Sequence, residues 1–151
     1  MSEPTLPAEG GCRCGKVRFK ISQAPMMVLA CHCRGCQRMA SSAFSLTAII
    51  PAAGFEVTQG EPVVCGLHGA SKHYACGYCM SWLFTRAEGM DEIVNLRPTM
   101  LDDASWVAPF VDTCVATKLP WVQTGATYSF DEYPPMTEYQ RLMQEYTAHH
   151  R

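Results

Sequence analysis

No stretch of the chain is apolar for long enough to span a bilayer, which excludes a membrane-crossing helix. Charge is scarce: Asp, Glu, Lys and Arg make up 17% of the residues, and no dense block of Lys or Arg occurs. With a net charge of -2, nothing electrostatic recommends nucleic acid or an anionic membrane as a partner. The first eleven residues lack the basic-then-apolar pattern of a secretory signal, so a cytoplasmic chain is the expectation. Internal repeats and low-complexity segments are also missing. A single domain over 1–151 suffices, long enough to bury about 68–70% of its chain surface.

Cysteine breaks this plainness, with nine residues. A disulfide framework usually comes with an even count and a secretion signal. Here seven of the nine fall in tight C-x-C or C-x-x-C groups, which is the spacing of metal ligands.

Three thiols crowd into Cys31-His32-Cys33-Arg34-Gly35-Cys36. Alternate residues of an extended strand face the same way, so Cys31 and Cys33 can aim at one point, and Cys36 follows after one turn through Arg34-Gly35. Zinc prefers four tetrahedral ligands, and a closed structural site takes all four from protein. This motif supplies three. The fourth is water, substrate or a distant residue; His32 is nearest, but strand alternation points it to the opposite face. If a short helix starts near Gly35, its positive end helps keep Cys36 ionised.

Cys12 and Cys14 share a face by the same period-two argument, ahead of the alternating strand Lys16-Val17-Arg18-Phe19-Lys20-Ile21. Cys76-Gly77-Tyr78-Cys79 is a C-x-x-C knuckle. These two pairs make four ligands that would pin the first strand to the middle of the chain. Alternatively, Cys76 and Cys79 complete the triple-cysteine site and Cys12 and Cys14 remain ordinary thiols; spacing leaves both arrangements open.

Phe44–Ile50, Phe55–Thr58, Pro62–Cys65, Ser81–Thr85 and Glu92–Leu96 read as further short strands punctuated by Gly and Pro, so a mainly antiparallel β domain is expected. After Pro134-Pro135, Thr137 and Gln140 form a capping-box pattern, and Tyr139, Leu142, Met143 and Tyr146 recur at helical spacing. This predicts a short C-terminal helix over 136–148, with His149-His150 fraying. Cys65 and Cys114 read as core thiols, Trp121 as a packing anchor, and His68 and His73 as loop histidines beside a turn, either able to line a cleft. Asp102 and Asp103 read first as turn caps, and second as substrate-positioning or basic groups.

Taken in order, Gly11-Cys12-Arg13-Cys14-Gly15, Cys31-His32-Cys33-Arg34-Gly35-Cys36-Gln37-Arg38, Ser42-Ala43-Phe44, Cys76-Gly77-Tyr78-Cys79 and Leu101-Asp102-Asp103 resemble the glutathione-dependent formaldehyde-activating enzyme family, which includes centromere protein V. The resemblance runs from about Gly11 to Trp121. It implies an antiparallel β-tent zinc-binding fold, a structural zinc on Cys12, Cys14, Cys76 and Cys79, and a second, catalytic zinc on Cys31, Cys33 and Cys36. It also implies carbon-sulfur lyase-type chemistry with glutathione as co-substrate: a thiol adds to a small aldehyde such as formaldehyde, giving S-hydroxymethylglutathione. Two zinc ions per chain are then expected, the second being the more labile. Two departures stand out. Many relatives carry Gly where this chain has Met80 and Ser41, and glycine there often supports unusual backbone angles.

The expected mechanism seats a substrate thiolate at the open position beside Cys31, Cys33 and Cys36, next to an aldehyde carbonyl. Three thiolates already carry excess negative charge, so positive groups are needed nearby; Arg34 and Arg38 are the local candidates, though each reads first as a solvated surface arginine. Two other readings compete. One is a non-catalytic zinc module serving as a protein-binding platform, which a fourth protein ligand at the triple-cysteine site would favour. The other is thiol redox chemistry of the methionine sulfoxide reductase type, for which Cys114 lacks the flanking residues.

Overall fold

The computed structural model describes residues 3–150. In chain order the elements are β1 (Ala8–Gly11), β2 (Arg18–Ile21), β3 (Met27–Cys31), α1 (Arg34–Ala40), β4 (Ser45–Pro51), β5 (Phe55–Gln59) and β6 (Val63–Cys65). There follow β7 (Ser71–Ala75), β8 (Trp82–Ala87), β9 (Ile93–Leu96), β10 (Val111–Thr113), β11 (Tyr128–Ser129) and α2 (Met136–His149). The mainly β class and the terminal helix are as expected from the sequence.

Two sheets form. The smaller is antiparallel, in the order β1-β2-β5; the larger has eight strands, β11-β10-β3-β4-β9-β8-β7-β6. Antiparallel pairing is not complete: β10 runs parallel to both β3 and β11. The chain returns to β3 through the long 97–110 connection rather than a hairpin, which permits the parallel approach.

Strand alternation divides the large sheet into two working faces. Cross-strand register aligns Val28, Ala48, Leu96, Phe84 and Tyr74 in one row. This row packs toward the small sheet, where Phe55 of β5 lies 4.9 Å from the Phe84 ring and 5.6 Å from Phe19 of β2. Phe19, Ile21, Val28, Ile50, Leu83, Val94 and Leu96 are fully buried there, and burying each such side chain contributes about 1.5–3 kcal/mol. The opposite row, Ile49, Asn95, Thr85 and His73, carries polar groups in otherwise apolar strands. That is the face of a site.

Gly10 shows how closely the small sheet meets the rest. It bridges to Leu101, and a Cβ there would sit 2.4 Å from the Met100 carbonyl oxygen, so only glycine fits. At the other end, α2 lays Leu142 and Tyr146 inward, with Tyr146 edge-on to Phe110 at 5.6 Å.

Several local expectations change. Helix α2 begins at Met136 behind Pro135 with no side-chain cap, so Thr137 lies inside the first turn and caps nothing. His150 does not fray: it is buried, stacked on Tyr146 at 3.9 Å, with Nδ1 2.7 Å from the Tyr146 carbonyl. Trp121 is 74% exposed and anchors no packing. Cys65 and Cys114 are half-buried rather than core thiols.

Ser41 and Met80, the two departures from glycine, both adopt left-handed backbone, with φ of 51° and 60°. Ser41 ends α1 and Met80 closes the second cysteine knuckle. L-residues in this region carry a cost of roughly 1–2 kcal/mol that glycine avoids, offset in part by glycine's greater freedom when unfolded. Ser41→Gly and Met80→Gly should each raise unfolding free energy by about 0.5–1 kcal/mol in denaturant titration; a loss of stability in both would contradict the strain assignment.

Candidate metal centres

The first cluster joins two turns. In one, Gly15 at φ 81° tightens the loop after β1, its N–H donates to the Cys12 carbonyl at 3.1 Å, and the Val17 N–H reaches Cys12 Sγ at 3.3 Å. The other is closed by the Met80 N–H to the Cys76 carbonyl, 2.9 Å, and the Tyr78 N–H to Cys76 Sγ, 3.4 Å. The Arg13 N–H bonds Ser81 Oγ at 3.1 Å and locks one turn to the other. N–H groups aimed at sulfur favour thiolate over thiol.

Cys12, Cys14, Cys76 and Cys79 thereby place their sulfurs within 4.8 Å of one another, with Cys12–Cys14 at 3.5 Å and Cys14–Cys76 at 3.8 Å. A tetrahedron of four thiolates at a Zn–S distance of about 2.3 Å has edges of about 3.8 Å. The donor set and its dimensions fit zinc. Hydrogen bonds from Ser81, side chain before main chain, bring Cys79 down to about 5. Cys12 is also lowered: burial opposes its ionisation, but the Val17 N–H and neighbouring thiols prevail. Of the two arrangements that spacing allows, the fold assembles this one and keeps the triple-cysteine cluster apart.

The second cluster is built at the end of β3. Cys31 ends the strand, Cys33 stands at the N-cap of α1, and Cys36 lies in that helix's first turn, its N–H donating to Cys33 Sγ at 3.3 Å. Gln37 holds the loop from beneath, donating to the carbonyls of His32 at 2.8 Å and Thr117 at 3.0 Å. The three sulfurs lie within 4.8 Å of one another, and among the described residues the ligand cluster stops at three. His32 turns away, fully buried, with Nε2 3.0 Å from Asp112 Oδ1. The Cys36 thiol and other hydrogen bonds, against burial, bring Cys31 down to about 4; Cys36 is correspondingly pushed up.

Cys31 and Cys36 open onto a cavity of about 750 Å³ on the polar-row face of the large sheet, roofed by 133–136 and α2. Arg97, at the end of β9, is 8% exposed and inside this lining. Its guanidinium donates to Leu46 O at 3.1 Å, Thr47 Oγ1 at 2.9 Å and Thr85 Oγ1 at 3.2 Å, and lies 3.9 Å over the Trp82 ring. Nε has no partner. Burial draws its pKa down to about 10, against the pull of Cys36 and Cys31, so it stays charged at neutral pH. Among the described residues no carboxylate pairs with it. A buried cation without counter-charge costs several kcal/mol, so the charge it balances is that of the cysteine cluster.

Tyr133 and His73 complete the polar lining. The Cys114 N–H bonds the Glu132 carbonyl at 2.9 Å, which sets Tyr133 beside the cluster with its hydroxyl 3.7 Å from Cys31 Sγ. Burial and then the Cys31 charge keep that hydroxyl protonated. His73 sits in strand β7, not a surface loop, with Nδ1 2.9 Å from Thr85 Oγ1; burial and then Arg97 lower its pKa, leaving it neutral. His68 is exposed.

Arg34 and Arg38 are both exposed on α1 and lie outside the cavity lining; Arg34 donates to Gln37 Oε1. Asp102 forms a two-pronged pair with Arg18, at 2.9 and 2.5 Å, and Asp103 caps a turn through the Ser105 N–H at 2.9 Å. Cys114 adjoins Cys31, but burial and then the Cys31 charge push its thiol up to about 11, the wrong direction for a reactive nucleophile.

Protein purified under reducing conditions should carry two zinc ions per chain, falling to one in Cys36→Ser. Arg97→Met should weaken the second ion about 10–100-fold in chelator competition and leave the first unchanged. Equal loss at both clusters would contradict Arg97's assignment to the triple-cysteine group.

Two comparisons with known proteins bear on this geometry. The crystal structure of a Rhodobacter sphaeroides protein, a structural-genomics target, is similar at a TM-score of 0.52 and 19% identity, covering 67% of this chain and 91% of that one. At that identity the likeness speaks to fold alone. The family model of the glutathione-dependent formaldehyde-activating enzymes matches residues 7–117, a span that holds both cysteine clusters and Arg97. The chain belongs to the glutathione-dependent formaldehyde-activating enzyme family.

Proposed function

We propose that the whole chain, 1–151, works as one zinc-binding unit in the cytoplasm, adding a thiol of the glutathione kind to a small aldehyde, or reversing that addition as a carbon-sulfur lyase. The observation that carries the reading is the three-thiol cluster opening onto a cavity beside a buried arginine that no carboxylate among the described residues pairs. Cys12, Cys14, Cys76 and Cys79 hold the structural ion; Cys31, Cys33 and Cys36 hold the second. An ion at the second site, when bound, supplies the pull that keeps a substrate sulfur deprotonated near neutral pH.

The remaining work falls to the chain itself. Arg97 offsets the negative charge that three cysteine sulfurs and an incoming sulfur would accumulate. As the new carbon-sulfur bond forms, the carbonyl electron pair moves to oxygen, which needs a proton. Tyr133, whose hydroxyl lies 3.7 Å from Cys31 Sγ, supplies it and is refilled from solvent, which has taken the thiol's proton. His73 stays neutral and adds no competing charge. Arg34 and Arg38, exposed on α1 outside the cavity lining, are the candidates to meet glutathione's carboxylates.

Catalysis is measurable by NMR exchange between formaldehyde, glutathione and S-hydroxymethylglutathione. The native chain should accelerate exchange well above the uncatalysed rate, Cys31→Ser should abolish the acceleration, and Tyr133→Phe should reduce it about 10²–10⁴-fold. No acceleration by fully zinc-loaded protein would remove this reading.

A further inference from the structure

Formaldehyde is a poor match for the cavity it would occupy. With two heavy atoms it takes up about the space of two waters, each roughly 30 Å³, whereas the cavity holds about 750 Å³. Glutathione can bring its sulfur to the thiol end, but its two carboxylates and ammonium do not suit the apolar part of the cavity, which is left to the carbonyl substrate. The charged residues in the lining are Arg97, at the thiol end, and Glu92, exposed near the rim. One buried cation can serve one polar head. The rim carboxylate would repel another anion.

Away from the cluster the lining turns apolar, through Leu29, Ile49 and Ile93 from the sheet and Met26, Met90 and Met143 around them. Ile49 is 6% exposed, and Met143 and Ile93 are half-buried against the core. Methionine is unbranched and polarizable, so it shapes itself to apolar ligands of varied length. The polarity is therefore uneven: thiols, Arg97, Ser45, Thr47 and Tyr133 gather at one end and Ser71, His73, Thr85 and Asn95 line the β7–β9 side, while the hydrocarbon side chains cover the remaining surface.

We infer that the carbonyl substrate of this chain is an aldehyde bearing an apolar chain of several carbons, its oxygen at the Cys31, Cys36 and Arg97 end and its chain along Leu29, Ile49, Ile93 and the methionines. This deepens the proposed thiol addition and rests on it. The step balances without further reactants: a thiol and R-CHO give R-CH(OH)-S-R′. The sulfur-carbon bond forms, the carbonyl π bond breaks, and the thiol proton is returned to the new hydroxyl.

The test separates binding from chemistry. Unbranched primary alcohols of two, four, six and eight carbons share the chain and one oxygen but do not react. Calorimetric titration into the zinc-loaded chain should show affinity rising about fourfold per added methylene. Met90→Glu, at an exposed turn, and Met143→Glu, on α2, should each weaken octanol at least tenfold while circular dichroism stays native. With glutathione as thiol, kcat/KM should favour hexanal over formaldehyde. Affinity independent of chain length, or insensitive to both variants, overturns the inference, and formaldehyde addition that persists then leaves the proposed function standing. Chain-length-dependent binding with no thiol addition to any aldehyde supports the apolar site and overturns the proposed chemistry instead.

Discussion

Four cysteine sulfurs held within 4.8 Å of one another connect parts of the chain that share little else at that point. Cys12 and Cys14 follow β1 of the small sheet; Cys76 and Cys79 lie between β7 and β8 near one end of the large sheet. Like charges so close cannot all ionise without a compensating cation. An apo chain would keep protons on some of these thiols; the Lys16 N–H pulls Cys14 down, but burial and then its neighbouring sulfurs push it up to about 11. A bound zinc is worth about 10–16 kcal/mol in small folded units, against about 5–15 kcal/mol for a whole domain. The same two sheets also meet through the Phe19, Phe55 and Phe84 contacts.

The second cluster uses the same ligand chemistry differently. Strand β3 is buried along its whole length, yet its two faces do unlike things. Val28 faces the small sheet, while Leu29 and Cys31 face the cavity. A single strand therefore carries core side chains and a cavity-facing thiol in alternate residues. Because Cys33 and Cys36 belong to the N-terminal turn of α1, and Gln37 and Thr117 tie that turn down, the three sulfurs converge without a fourth from the described chain. The open direction is the cavity, with Arg97 set into its wall.

The triple-cysteine group and the two separate cysteine pairs were legible in the sequence because each is local: period-two spacing for Cys31 and Cys33, a knuckle for Cys76 and Cys79; which pairs meet was left open by spacing, and the fold brings Cys12 and Cys14 to Cys76 and Cys79. The strands were legible wherever alternation was strong. What escaped was set by register between distant strands. Arg97 reads as the residue after a strand, and only the pairing of β9 with β4 and β8 puts it among Thr47 and Thr85. A signal existed: in Ile93-Val94-Asn95-Leu96-Arg97 every other residue is polar after the first, marking a second face with work to do. Tyr133 gave no such signal, since its position follows from the main-chain bonds of Cys114 and Val115 to 130–132. Trp121 and His150 were misjudged for the reverse reason, because terminal and loop packing has no periodicity to read.

The central claim is that one cysteine cluster is closed by protein and the other is open to a thiol. Cobalt substituted at both sites reports this directly, because its visible ligand-field bands shift when a ligand is exchanged. Titration with glutathione should change the bands of one ion of the two, and Cys36→Ser protein should lose that response while keeping the unchanged ion's spectrum. A two-cobalt protein whose spectrum does not respond to any added thiol would mean that both sites are closed, and the account of the open cluster would be wrong.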